Sequence, residues 1–118
     1  MEKSKYHTSL QNLVSVPIAH GSALKKVFIS NEETSSALTQ FAWSIFKASD
    51  SCESHSHLTM DEYFFVHEGS GTYWLDDEEL LITKGDFLRI PANTPHRVAA
   101  NRGTELELVY FGIALDND

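Results

Sequence analysis

The stretch His55-Ser56-His57-Leu58-Thr59-Met60-Asp61-Glu62-Tyr63-Phe64-Phe65-Val66 decides how this chain is read. On a strand, residues i and i+2 project from one face, so the imidazoles of His55 and His57 can converge on one point. On a helix they would diverge by about 200°, at 3.6 residues per turn. The apolar run from Tyr63 to Val66 reads as a second strand that Glu62 opens. If residues 58–61 turn the chain, Glu62 returns alongside both histidines. The hairpin then offers two imidazoles and one carboxylate to a single ion.

Outward from this stretch, the strand pattern recurs. Residues 38–47 alternate, with Phe41, Trp43 and Ile45 on one face. Residues 104–111 set Glu105 and Glu107 opposite Leu106, Leu108 and Tyr110. Shorter strands are predicted over 62–68, 72–75, 80–83 and 87–90. Turn chemistry separates them at Gly69-Ser70-Gly71, Asp76-Asp77, Lys84-Gly85-Asp86 and Asn101-Arg102-Gly103. Residues 14–18 and 24–29 extend the scheme, and the polar run 31–36 connects them to it. Short strands about ten residues apart predict an all-β sandwich or barrel.

The 118 residues suit one domain, and 42% hydrophobic with 22% charged residues is a globular composition. A formal net charge of −8 repels phosphate backbones and anionic lipid heads, so neither nucleic acid nor a membrane is an expected partner. No apolar run approaches the roughly 18 residues of a membrane span. The residues after Met1 lead into no apolar signal segment, so no signal peptide is expected. Cys52 is the only cysteine and cannot close an internal disulfide, which makes a cytoplasmic location the expectation.

A fourth candidate ligand lies in Gly85-Asp86-Phe87-Leu88-Arg89-Ile90-Pro91-Ala92-Asn93-Thr94-Pro95-His96. A strand ends at Pro91, a proline-bracketed loop follows, and His96 opens a new strand with Val98 and Ala100 in its parity. A histidine so placed sits well at the mouth of a barrel.

These two segments resemble the two sequence motifs of the cupin superfamily, small metal-binding β-barrels. The first motif has the form Gly-(x)5-His-x-His-(x)3–4-Glu-(x)6-Gly. It is matched by His55-x-His57-(x)4-Glu62-(x)6-Gly69, with Ser49 where the leading glycine is usual. The second has the form Gly-(x)5-Pro-x-Gly-(x)2-His-(x)3-Asn. It is matched by Gly85-(x)5-Pro91-x-Asn93-(x)2-His96, with Asn93 for the second glycine and Ala100 at the final Asn position. Asn93 is a mild departure, because Asn tolerates a left-handed backbone. No departure touches a ligand position.

The resemblance implies a small single-domain cupin, a jelly-roll β-barrel over residues 37–118 with residues 1–36 packing on it as an N-terminal strand region. It implies His55, His57, Glu62 and His96 as ligands of one divalent transition metal ion: Mn, Fe, Ni, Co or Zn. Three neutral imidazoles and one carboxylate leave such an ion a net charge of about +1, with about two positions open in an octahedral shell.

Phe41, Trp43, Ile45, Phe64, Val66 and Val98 are expected to form barrel core, with one or two reaching a substrate pocket. Cys52, of opposite parity to the histidine pair, is expected to point away from the ion and to be inert. His67 is expected to face outward, and His7 and His20 to stand outside the ligand set. Arg89 and Arg97 read as surface residues, and Asp76-Asp77-Glu78-Glu79 as a solvated turn guarding a sheet edge.

The expected function is metal-dependent Lewis-acid chemistry of isomerase, decarboxylase or cyclase type. Its substrate would be a small oxygenated metabolite such as a hydroxy acid, keto acid or sugar. The alternatives are an Fe(II)-dependent dioxygenase and a non-catalytic module or sensor that binds metal or a small ligand. No residue is assigned as general base. Aromatic-rich sheet surfaces make a homodimer the expected assembly.

Overall fold

Alternating apolar and polar residues become nine strands in the computed structural model, which describes residues 6–50, 52–57 and 59–115. The outer ends of both regions expected above, residues 1–5 and 116–118, lie outside the described residues. So does Leu58 of the expected turn. In chain order the strands are β1 (Val16–Pro17), β2 (Leu24–Ser30), β3 (Leu38–Lys47), β4 (Met60–Glu68) and β5 (Ser70–Leu75). They continue with β6 (Glu78–Thr83), β7 (Phe87–Ile90), β8 (His96–Ala100) and β9 (Glu105–Ala114). A six-stranded sheet runs β1-β2-β3-β9-β4-β7, and a three-stranded one runs β6-β5-β8, with every pairing antiparallel. Together they form a jelly-roll β-barrel. The N-terminal strands continue the larger sheet, since β2 pairs with β3 from Leu24↔Ile45 to Ser30↔Gln40.

The core lies between the sheets. β3 contributes Ala42 and Phe46, β4 contributes Phe64 and Val66, and β9 contributes Leu106, Leu108 and Tyr110. Tyr73, Ile82 and Val98 of the smaller sheet pack against them. Each large apolar side chain removed from water here contributes about 1.5–3 kcal/mol.

On β3 the inward face is not the expected one. Phe41, Trp43 and Ile45 lie on the outer face, and the small residues Ala42 and Ser44 face inward. The outward rings are covered by one another. Phe28, Phe41, Phe111, Tyr63 and Phe87 form a ladder across the larger sheet, with neighbouring centroids 5.1–6.4 Å apart. A bulge between Val27 and Ile29 turns Phe28 to that face. The segment before β4 also departs from expectation, because residues 53–57 form no regular strand. It is held by the isolated bridges Gly21↔Cys52 and His55↔His96.

The turns explain the motif glycines and their replacements. Gly69, between β4 and β5, has φ +86°, and a Cβ there would run into the Glu105 carbonyl. Gly69→Ala is therefore expected to lose roughly 2–4 kcal/mol of stability, combining left-handed strain with a backbone clash. An unchanged midpoint in urea would contradict this. Asn93 does adopt the left-handed conformation expected of it, at φ 67°. Ser49 needs no such freedom: its turn is closed by Asp50 N–H donating to the Lys47 carbonyl at 2.9 Å, and its φ is not positive. Asn101, one residue past the motif's Asn position, donates from Nδ2 to Ser70 Oγ at 2.9 Å.

Candidate metal centre

Three backbone connections assemble this site. Glu62 projects inward from β4, between Ile90 of β7 and Gly112 of β9. His96 opens β8 and exchanges both backbone hydrogen bonds with His55, at 2.8 and 3.0 Å. The left-handed turn at Asn93 aims its N–H at the His57 carbonyl, 2.7 Å away. The proline-bracketed loop thus carries one histidine at its end and anchors the segment bearing the other two.

One donor atom from each of His55, His57, Glu62 and His96 lies within 4.8 Å of the other three. His57 Nε2 is 3.2 Å from Glu62 Oε1, and His96 Nε2 is 3.5 Å from the same oxygen. Metal bonds to such donors run about 2.0–2.2 Å, so neighbouring donors on one ion stand about 3 Å apart and opposite ones about 4.2 Å. The donor set fits a single cation, its widest pair only slightly beyond that range.

Hydrogen bonding points the same way. His96 Nδ1 lies 2.8 Å from the Thr94 carbonyl and His55 Nδ1 lies 2.9 Å from the Glu53 carbonyl. A carbonyl only accepts, so each Nδ1 carries a proton, and in the neutral tautomer this selects, Nε2 presents a lone pair to the pocket. Across from His96 Nε2 stands Glu62 Oε1, another acceptor. Both atoms are buried and neither has a hydrogen-bond partner among the described residues. Two facing acceptors in a buried wall are a poor arrangement without a cation between them and a good one with it.

Burial holds the imidazoles of His55 and His57 below the ordinary histidine value of 6.5. For His55 the Glu53 carbonyl works against this, and for His57 the Glu62 carboxylate does. The unfolded chain therefore takes up protons on these rings at a higher pH than the folded one. Stability of the metal-free protein should be complete above the ordinary value and be lost as pH falls through it toward the folded pKa. Thermal melts of metal-free protein between about pH 7.5 and about pH 5.5 check this, and a flat profile contradicts it.

The four groups form one wall of a pocket of about 110 Å³. Phe46, Phe64, Tyr73 and Val98 supply apolar walls, and Ile18, Ala19 and His20 lie at the rim. Of the residues expected at a pocket, Phe64 and Val98 line it. Val66 is completely buried in the core behind the lining, and Phe41, Trp43 and Ile45 are on the far side of their sheet. Cys52 also departs from expectation by lining the pocket, because strand parity does not hold in an irregular segment. Burial pushes its thiol up, which suits an inert side chain. His67 and His7 are exposed. Arg89 pairs with Asp61 at 3.0 Å and Arg97 covers the Trp74 ring at 3.7 Å, both as surface residues.

Several lining residues escape a sequence reading. His20 stacks on His55 with centroids 4.2 Å apart, and its carbonyl accepts a 2.7 Å hydrogen bond from Glu53 N–H. Nothing local marks it, since the path of residues 18–22 over the site is a tertiary matter. Lys25, Gln40, Ser44 and Tyr110 also face the pocket. Their one local signal is the small, polar face of β3 at Ala42 and Ser44.

A jelly-roll barrel with three imidazoles and a carboxylate on one pocket wall defines a class. Residues 42–114 match the Cupin_2 family, the cupin domain, and the chain belongs to that family. Over 44 residues it is 41% identical to an uncharacterised protein of Methanocaldococcus jannaschii, which covers 37% of this chain and 35% of that protein. Over 42 residues it is 45% identical to quercetin 2,3-dioxygenase of Bacillus subtilis, covering 36% of this chain and 12% of the enzyme. These matches therefore span about a third of one curated relative and about an eighth of the other. Among solved structures, a predicted oxalate decarboxylase of Thermotoga maritima is similar with a TM-score of 0.83 and 19% identity, over 91% of this chain and 97% of that one. The polyketide cyclase RemF of Streptomyces resistomycificus follows at 0.79 and 16% identity, over 96% and 80%. At these identities the structural likeness speaks for the fold alone.

Proposed function

We propose that this chain is a small metal-dependent enzyme that acts on a small oxygenated metabolite, a hydroxy acid, keto acid or sugar, by isomerase, decarboxylase or cyclase chemistry. The observation that carries this reading is the buried, unpartnered pair Glu62 Oε1 and His96 Nε2, facing each other beside His55 and His57. A divalent Mn, Fe, Ni, Co or Zn ion held by these four residues would supply Lewis acidity toward a substrate oxygen. The chain's own groups do the rest. The Glu53 and Thr94 carbonyls fix two imidazoles in orientation. Burial keeps the Tyr73 and Tyr110 hydroxyls protonated, so they serve the pocket as hydrogen-bond donors and not as bases. Phe46, Phe64 and Val98 keep bulk water from the walls. The cavity volume suits a metabolite of a few heavy atoms.

Elemental analysis of protein purified without chelator or added metal tests the reading. About one divalent ion per chain is expected, as for a four-donor site. Protein that takes up none of the five ions on reconstitution contradicts it. The local identity to quercetin 2,3-dioxygenase supports a second reading, an Fe(II)-dependent dioxygenase at the same residues. Oxygen uptake after anaerobic loading with Fe(II) separates the two, and turnover of any substrate excludes a purely binding or sensing role.

The same reading includes a homodimer, supported by the aromatic ladder on the outer face. Phe87 at its edge is 63% exposed, and Phe65 beside it is also exposed. Light scattering is expected to return twice the 13.3 kDa chain mass, and Phe87→Asp to shift it toward the monomer. A monomeric wild type at micromolar concentration overturns this.

A further inference from the structure

Building on the metal-centre reading above, we infer that Lys25 and Ser44 form an anion-receiving end of the same pocket, so the small molecule bound there carries a carboxylate. Lys25 on β2 and Ser44 on β3 are cross-strand partners, and both line the pocket. Among the described residues, Lys25 is the one lysine or arginine on its walls. Its Nζ donates to Gln40 Oε1 at 3.1 Å, which orients the ammonium and uses one of its three N–H bonds. Gln40 is neutral and positions the ammonium; burial holds the Lys25 pKa below its ordinary value and the Glu62 carboxylate opposes that. Among the described lining residues the one carboxylate, Glu62, is turned to His57 and His96.

Ser44 is a second, independent pointer. It is 1% exposed, and its Oγ lies with the Tyr110 hydroxyl, its side-chain hydrogen-bond partner, on the pocket wall. With one donor and two acceptor lone pairs, a hydroxyl so engaged keeps capacity for a ligand in the pocket. An ammonium and a hydroxyl lining one partly desolvated cavity match the oxygens of a carboxylate. Charge balance agrees: with Glu62 committed to a divalent ion, the pocket holds an excess of positive charge that an anionic ligand offsets. Within the metabolite classes proposed above, this end selects hydroxy and keto acids over neutral sugars. Lys25 is therefore a specificity-determining residue.

Calorimetric titration with pyruvate and lactate against their uncharged analogues pyruvamide and lactamide tests the inference. The proteins are wild type, Lys25→Met and Lys25→Gln, each both loaded with Mn(II) and metal-free. Wild type is expected to prefer the acids, and either Lys25 variant to lose about tenfold or more in acid affinity, the share of a charge-assisted hydrogen bond. Amide affinity should fall much less than acid affinity, and metal content should not change. The inference is overturned if wild type shows no preference for the acids, or if the preference survives in a folded Lys25 variant. Failure of Mn(II) to load strikes at the metal reading instead, while the metal-free comparison still decides the role of Lys25.

Discussion

His57→Ala is expected to lose its metal ion while keeping its fold. The side chain is about a quarter exposed, at 26%, so truncating it opens no sealed cavity in the core. Its segment remains tied down by Asn93 N–H on the residue 57 carbonyl, a backbone contact that alanine retains. Four-donor sites bind ions such as zinc with about 10–16 kcal/mol, so an equal share per donor is about 2.5–4 kcal/mol. Removing one donor should weaken binding roughly a hundred- to a thousandfold. After gel filtration, wild type is expected to keep about one ion per chain and the variant a trace. Turnover should fall with metal content. Stoichiometric metal in the purified variant would remove His57 from the ligand set.

Glu62→Gln is expected to move stability and metal affinity in opposite directions. In metal-free protein the Glu62 carboxylate is buried among imidazole nitrogens and its Oε1 has no hydrogen-bond partner among the described residues. An amide of the same shape brings an NH₂ that can donate to His57 or His96 Nε2. Converting two opposed acceptors into a donor and an acceptor is worth about 1–2 kcal/mol. Metal-free Glu62→Gln should thus melt several degrees above metal-free wild type. The ion loses its one anionic donor, so affinity should fall at least as far as in His57→Ala, and added Mn(II) should raise the melting point much less. A variant that melts lower than wild type in the absence of metal would sink this account. The opposition has a simple cause. A site preorganised for a cation holds its donors close together, and without the cation those donors disfavour one another.

Much of the barrel was legible because strand alternation and turn chemistry are short-range. The spans 38–47 and 87–90 coincide with β3 and β7. The left-handed turn at Asn93 follows from the torsional tolerance of its own residue type. His55, His57, Glu62 and His96 were readable as a set because their two segments resemble the two cupin motifs. His55 and His57 nevertheless do not lie on the regular strand expected of them. They converge through the bridge to His96 and the hold of Asn93 on His57, not through a regular strand. Cys52 shows the consequence: its parity pointed it outward, and an irregular segment turned it into the pocket.

The sequence by itself determined that strands of period two would form, where they would turn, and which four side chains could share an ion. Strands and turns depend on contacts a few residues long and on backbone torsions, and the four side chains were named by the spacing of their two motifs. Only the tertiary structure decided which face of each strand is inside. Alternation defines two faces but not the lumen, and at β3 the small pair Ala42 and Ser44 faces the second sheet while Phe41, Trp43 and Ile45 stack outward. It likewise decided that His20 and Lys25, far earlier in the chain, complete the pocket. Their places depend on how β2 registers against β3 and how the segment before it crosses the site, and no local pattern encodes either.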